Sequence, residues 1–382
     1  MAEQEKMELT TDAAVKIEGA QRQAVTEFLN PEQPLANVVG VGSGIKWTDG
    51  EPTGEPAVLV LVSHKIGKDE LIKEELIPPK MGTVKTDVLE IGFPIAQQFL
   101  RPTAPLRPGH TARPAIDGNG SPTPTPMLEE EEYTAFAEAL MLARRARPAE
   151  GGYSVGHYAI TAGTLGTCAY DILPGGSTGS PPGHGVGIPP QTYILSNNHV
   201  LANTNAAQPG DPILQPGPYD GGTDPADRIA TLTRFVPITL EPPTPRNLHR
   251  NVVDAAIAQG QFHDLDREVY WIGYVRGWRR KANVAVGSIV QKTGRTTSYT
   301  TGRITAINAT IDVGYGGGRV ARFLDQIVTT NISAGGDSGS LVLSLDNIAV
   351  GLLFAGSSVA TIVNQIENVR SFLRVEVAQK IL

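Results

Sequence analysis

The chain has 382 residues, 40% hydrophobic and 19% charged, a balance that permits a buried core and, at about 150 residues per domain, two or three domains. Its net charge of −7 argues against a nucleic-acid partner, because phosphate binding needs a basic surface. A single cysteine, Cys168, excludes an intramolecular disulfide and favours a reducing compartment.

The first residues, MAEQEKMELTTD, contain no apolar run of the kind a signal peptide carries. No stretch approaches the roughly 18 apolar residues of a membrane span, so the expectation is a cytoplasmic protein with no membrane partner. Residues 10–30 read as a helix, capped by Thr10 or Thr11 and stopped by Asn30-Pro31, with Val15, Ile17, Val25 and Phe28 partly at helical spacing. ANVVGVGSGIKW, PAVLVLVS and TVKTDVLEIG follow as strands, with KDELIKEEL expected as a short helix between the last two. Together they predict a small α+β domain over residues 1–100. Gly40, Gly42 and Gly44 lack both the Lys-Ser/Thr ending of a phosphate loop and the spacing of a dinucleotide fingerprint, so they read as a flexible or bulged strand.

Residues 101–126 are rich in Pro, Gly, Thr and Ser and read as a linker. A connecting helix is expected over 127–150. Thr125 would cap it, Pro126 would open it, and acids at Glu129–Glu132 and arginines near its end would complement its dipole. From 151 to 382 the pattern changes to short apolar runs broken by Gly, Pro and Asn turns, which predicts a sandwich or barrel. The last amphipathic stretch, Ile366 to Leu382, is expected to form a helix packed on that barrel.

Three strings in this β-rich part suit nucleophilic catalysis: SNNHVL around His199, NVVDAAIA around Asp254 and SAGGDSGSLVL around Ser338. Acyl transfer by a serine needs a base for the hydroxyl proton, an acid that orients the base, and backbone N–H groups for the developing oxyanion. In Gly335-Gly336-Asp337-Ser338-Gly339 the glycines allow a tight turn that can align the Gly336 and Ser338 amides.

GDSGS, with an upstream HV and an apolar-flanked Asp in the order His, Asp, Ser, resembles the trypsin/chymotrypsin superfamily. TAGTLG, LSNNHVLA, GDPILQPGPYDGG, TTGRI and GGDSGSLV are similar to bacterial trypsin-like proteases and the plant NARROW LEAF 1 group over residues 151–382, and the 38–92 segment is similar to their N-terminal domain. The resemblance implies a mainly β chain, with a chymotrypsin-like double β-barrel preceded by the small α+β domain. It implies a serine endopeptidase with His199 as base, Asp254 as orienter, Ser338 as nucleophile, and the Gly336 and Ser338 amides as oxyanion hole. The partner would be a protein or peptide substrate, selectively processed, and the plant group leaves room for a homo-oligomer.

Two departures from the family change the expectation. Enzymes of this group that cut after Lys or Arg carry an Asp six residues before the nucleophile, where this chain has Ile332 beside Ser333. On the opposite wall GLLFAG places Phe354 where the family has Ser, and Gly356 where it has Gly, so a small or apolar residue before the cut is expected. Nor does YSVGHYAITAGTLG hold a cleavage site that would free an N-terminus to pair with Asp337, so competence without that cleavage is expected. No cofactor and no metal are expected. His157 and His184 have no ligand partners at metal spacing, and Asp211, Asp220, Asp224 and Asp227 read as turn residues before they read as a calcium site. RGWRRK, Arg276 to Lys281, reads as a solvated loop. The alternative to an enzyme is a latent protease-fold scaffold that binds a peptide or partner protein.

Overall fold

The computed structural model describes residues 9, 11–33, 35, 37–48, 51–96, 141–160, 162–172 and 191–377. The expected linker over 101–126, His184 and most of the expected 127–150 helix lie outside these residues. Helix α1 (Thr11–Phe28) opens the chain and packs on strands β1 (Val38–Thr48), β2 (Glu51–Val62) and β3 (Val84–Glu90). Its buried face is Ile17, Gln21, Ala24 and Phe28, spaced four, three and four apart, while Val15 is exposed. Ile17, Ala24, Phe28 and Leu29 pack against Val41, Val58, Val60 and Val62 from the strands beneath. Gln21 is the polar exception. It accepts from Ser43 Oγ at 2.7 Å and donates to the Asn308 carbonyl, which ties the helix to the strand beyond β1.

KDELIKEEL does not form the expected helix; only a 3-10 turn, Lys73–Glu75, appears there. Its apolar residues do not share one helical face, Ile72 and Leu76 stay exposed, and Pro78-Pro79 disfavours helical backbone just downstream. The segment still serves as the crossover that lets β3 lie parallel to β2. At the other end of the gap, Met141 and Leu142 are helical, but Pro148 bars continuation and the chain enters a short strand, Ala149–Gly151, instead of remaining helical to 150.

Apart from a small three-stranded sheet of Ala149–Gly151, Leu265–Val269 and Gly273–Tyr274, the remaining described strands form two sheets, as expected of a chymotrypsin-like double barrel. The first holds β4 (Ser154–His157), β5 (Thr167–Asp171), β6 (Thr192–Ser196), β7 (Pro212–Leu214), β8 (Arg228–Phe235) and β9 (Ala256–Gly260), in the order β5-β6-β9-β8-β7-β4. A single turn of helix, α2 (Asn198–Leu201), follows β6. The second holds β10 (Ile289–Gly294), β11 (Ser298–Gly314), β12 (Val320–Thr330), β13 (Leu341–Ser344), β14 (Ile348–Gly356) and β15 (Ala360–Gln365). Its order is β10-β13-β14-β15-β12-β11, and β10 also pairs with β11, so six strands close on themselves.

The C-terminus departs from expectation: helix α3 (Ile366–Leu373) ends after eight residues, and β16 (Val375–Val377) returns to pair with β5 of the first sheet. Arg374 sits at the helix end in the left-handed region, φ 56, which stops the helix and turns the chain. Arg370, buried, pairs with Glu376 of β16 and stacks 3.7 Å from the Trp278 ring, so the RGWRRK loop is packed at its tryptophan.

The N-terminal strands continue the second sheet: β1 pairs antiparallel with β11, Gly40 opposite Ile311 and Ser43 opposite Ile307. The Gly40-Gly42-Gly44 run is explained by this approach. A Cβ on Gly40 would sit 2.7 Å from the Thr310 carbonyl, and one on Gly44 3.0 Å from the Thr305 carbonyl, both on β11. A register shift between Val41 and Ser43 marks a bulge there. Val39, Leu59, Leu61 and Ile91 share one core with Ile311, Phe323 and Phe354 of the barrel.

Candidate active site

His199 lies on α2, directly after β6, and Asp254 lies two residues before β9, which pairs with β6. That pairing brings the two together. The His199 ring N–H at Nδ1 donates to Asp254 Oδ2 at 2.6 Å, and the His199 backbone N–H donates to Oδ1 at 3.1 Å. Asn197 and Asn198 hold the loop: Asn197 Nδ2 donates to the Asp254 carbonyl at 2.7 Å, and Asn198 Nδ2 to the Val236 carbonyl at 2.7 Å. Asp254 is fully buried, and its own N–H donates to Asn364 Oδ1 at 3.0 Å.

Ser338 belongs to the loop between β12 and β13 in the second sheet. The loop is docked on the first sheet by Thr164, whose N–H donates to the Ser338 carbonyl at 2.7 Å and whose Oγ1 donates to the Gly336 carbonyl at 2.8 Å. Ala334 to Asp337 forms a turn closed by the Asp337 N–H to the Ala334 carbonyl at 3.1 Å. Gly336, at φ 98, is its second central residue, the type II pattern that glycine permits. Gly339 has no alternative: a Cβ there would lie 2.1 Å from Ser196 Oγ and 2.2 Å from the Thr164 carbonyl. Ser338 Oγ donates to the Phe354 carbonyl at 3.4 Å, and His199 Nε2 is buried without a hydrogen-bond partner among the described residues.

Two further side chains enter the site without a signal in the motifs. The Tyr315 hydroxyl, at the tip of the β11–β12 hairpin, donates to Asp254 Oδ2 at 2.7 Å. Burial, reinforced by the Asp254 charge, holds this phenol well above its ordinary range, so it remains a donor. The Phe354 departure was the available clue. Phe354 is fully buried against Phe323, and Phe323 stacks on Tyr315. The second is Lys292 on β10, fully buried with its Nζ 3.4 Å from Asp337 Oδ2. Asp337 also accepts from the N–H groups of Thr296, Thr297 and Ala334 at 2.8, 3.1 and 3.0 Å, and from Thr297 Oγ1 at 2.6 Å. Burial pulls the Lys292 ammonium below the ordinary lysine range, opposed by Asp337. A lone lysine in the middle of the strand IVQKTG is unusual in sequence but does not disclose this partner.

The four residues expected around the residue before the cut separate into two pairs. Ser333 and Gly356 line a small cleft together with Ser338, Ala334, Leu353, Ala355 and Ile95. Ile332 and the Phe354 ring are instead packed in the barrel interior, Ile332 against Gly302 and Phe354 against Phe323. The acidic loop is used up in separate pairs: Asp211 with His157, Asp220 with Arg295, Asp224 with Arg228 and Asp227 with Arg145. Among the described residues no group of three or more His, Cys, Asp or Glu converges on a common point, and no helix is long and apolar enough to cross a membrane.

The architecture is that of a chymotrypsin-like protease fold, with His199 bonded to Asp254 beside the first sheet and Ser338 on a loop of the second that docks on the first through Thr164. Solved structures similar to this chain include Thermobifida fusca protease A, 17% identical over 60% of this chain and 98% of that one, with a TM-score of 0.40. Cellulomonas bogoriensis chymotrypsin is 19% identical over 60% and 98%, with a TM-score of 0.39. The HtrA-type protease AlgW with a tripeptide is 15% identical over 63% and 62%, with a TM-score of 0.33. No protein-family model matches the chain, and no curated protein matches it in sequence.

Proposed function

We propose that the protein is a serine endopeptidase that needs no metal or organic cofactor. Ser338 Oγ attacks the carbonyl of a peptide bond and passes its proton to His199 Nε2, while Asp254 holds the imidazole through Nδ1. The amides of Gly336 and Ser338 receive the negative charge on the carbonyl oxygen. His199 then gives its proton to the departing amine, leaving an ester on Ser338. Water, deprotonated by the same nitrogen, hydrolyses that ester. The observation that carries this reading is the buried 2.6 Å contact between His199 and Asp254 beside the Ser338 turn. Lys292 supports competence without a freed N-terminus, since it already places a cation against Asp337.

The finer parts of the proposal are a selective processing role in the cytoplasm, kinship with the plant NARROW LEAF 1 group, and a small or apolar residue before the cut. The Ser338 Oγ contact with Phe354, in place of His199, favours a second reading in which the site is latent and the fold binds a peptide. A fluorophosphonate probe separates the two. Labelling of the wild type, abolished in Ser338→Ala and His199→Ala, is expected of the enzyme. A folded wild type that never labels would overturn it in favour of the latent scaffold.

A further inference from the structure

The chain itself lies across the sheet edge beside Ser338. β14 ends its pairing with the serine loop at Leu353, whose N–H donates to the Ser340 carbonyl at 3.0 Å and whose carbonyl accepts from the Gly339 N–H at 2.8 Å. Next along β14 the Phe354 carbonyl faces Ser338 Oγ, and two residues further Gly356 offers both of its backbone groups. Ile95 takes both. Its N–H donates to the Gly356 carbonyl at 3.0 Å and its carbonyl accepts from the Gly356 N–H at 3.2 Å, an antiparallel bridge. On the other side the Ala96 N–H donates to the Gly314 carbonyl at 2.9 Å, and the Gly314 N–H donates to the Pro94 carbonyl at 3.0 Å.

Residues 94–96 therefore form a short strand held between the ends of β11 and β14. Ile95 lines the same cleft as Ser338. Ala96 is buried in one apolar cluster with Tyr315 and Phe354, whereas Ile95 is 40% exposed.

A peptide whose carbonyl is to meet Ser338 must run past Phe354, and an extended peptide satisfies its backbone by joining a sheet edge. In antiparallel pairing, a peptide residue in the place of Ile95 brings the residue two positions later opposite Phe354. The place of Ile95 is then third before the cut, and the place of Ala96 second. We propose that residues 94–96 occupy in cis the track on which a substrate peptide binds, so that the protein is held back by its own chain until a peptide displaces it. The inference rests on the peptidase reading for the meaning of the track. It also specifies the substrate: an extended peptide with a small residue in the buried place of Ala96 and broad tolerance at the exposed place of Ile95.

The test uses full-length protein with Ser338→Ala as background and a fluorescein-labelled Phe-Pro-Ile-Ala peptide as probe, read by anisotropy. Ile95→Pro deletes the N–H that donates to Gly356 and should tighten binding about tenfold, because the competent state is no longer masked. Ile95→Gly keeps the N–H but loosens the strand, and should act in the same direction with a smaller effect; it decides the matter if the proline variant melts early. Equal binding in Ser338→Ala with and without a folded Ile95 variant would sink the proposal. Fluorophosphonate labelling of Ser338 in the otherwise wild-type chain is read in parallel. Labelling with unchanged peptide binding removes the occupancy and leaves the peptidase. Tighter peptide binding without labelling keeps the occupancy and removes the peptidase.

Discussion

Two fully buried carboxylates, Asp254 and Asp337, sit on either side of the site, and each is satisfied differently. Asp254 accepts from an imidazole, a phenol and one backbone N–H. Asp337 accepts from three backbone N–H groups, a threonine hydroxyl and the Lys292 ammonium. The partner of Asp254 is an imidazole, which carries a second ring nitrogen on the side away from the carboxylate. Asp337 instead faces the Lys292 amine, which has donors but no second acceptor-side nitrogen to present to a substrate, and most of its bonds go to loop backbone. On the proposed function, one carboxylate serves proton transfer and the other fixes the conformation of the turn that carries Ser338. Burial alone does not distinguish them; the chemistry of the partner does.

The largest effects are expected on the proton-transfer side. Ser338→Ala should remove peptide hydrolysis by about 10⁴- to 10⁶-fold with an unchanged melting temperature, because nucleophile and base act as a unit. Asp254→Asn should cost about 10⁴-fold, since with the amide oxygen on the His199 backbone N–H the amide NH2 faces Nδ1, donates to it and selects the wrong tautomer. Equal activity in either variant would remove the site from the chemistry altogether.

On the conformational side, Lys292→Met leaves Asp337 as an unpaired buried charge. The expected cost is roughly 3–5 kcal/mol of stability, with fluorophosphonate labelling lost as the Gly336–Ser338 turn relaxes. Lys292→Arg keeps the charge and should restore part of both. A methionine variant that melts and labels like the wild type would show that the backbone donors alone hold Asp337, and the comparison would collapse.

The contrast also explains what could be read in advance. His199, Asp254 and Ser338 were legible because each sits in a short local string with its own turn chemistry, as in GGDSG. Strand alternation and turns in residues 151–377 made the β architecture legible. Tyr315 and Lys292 were not, because their roles depend on contacts 61 and 45 residues away in sequence and on which strand face is turned inward. Ile95 was invisible for the same reason: only the sheet places it against Gly356. Local pattern also misled where packing decided the outcome. KDELIKEEL had helix-forming composition without one apolar face, and the helix expected up to Leu382 stops at Leu373 to return as the strand β16.

Tyr315 gives the smallest and most discriminating test, because it touches Asp254 without touching the proton that moves. Tyr315→Phe removes one hydrogen bond to a charged acceptor, about 1.5 kcal/mol, so hydrolysis should fall roughly tenfold while the His199 pair remains. Its pH dependence has a definite sign. The phenol is held well above its ordinary value of 10.0, first by burial and then by Asp254, so the folded state keeps this proton to higher pH than the unfolded chain does. The stability tied to that proton is fully present below 10.0 and is lost as the pH rises towards the folded value. Urea unfolding of wild type and Tyr315→Phe should therefore differ by a constant amount below 10.0 and converge above it. A difference that stays constant across that boundary would mean the Tyr315 hydroxyl is not bound to Asp254 in solution, and Asp254 would then depend on His199 and the His199 backbone N–H alone.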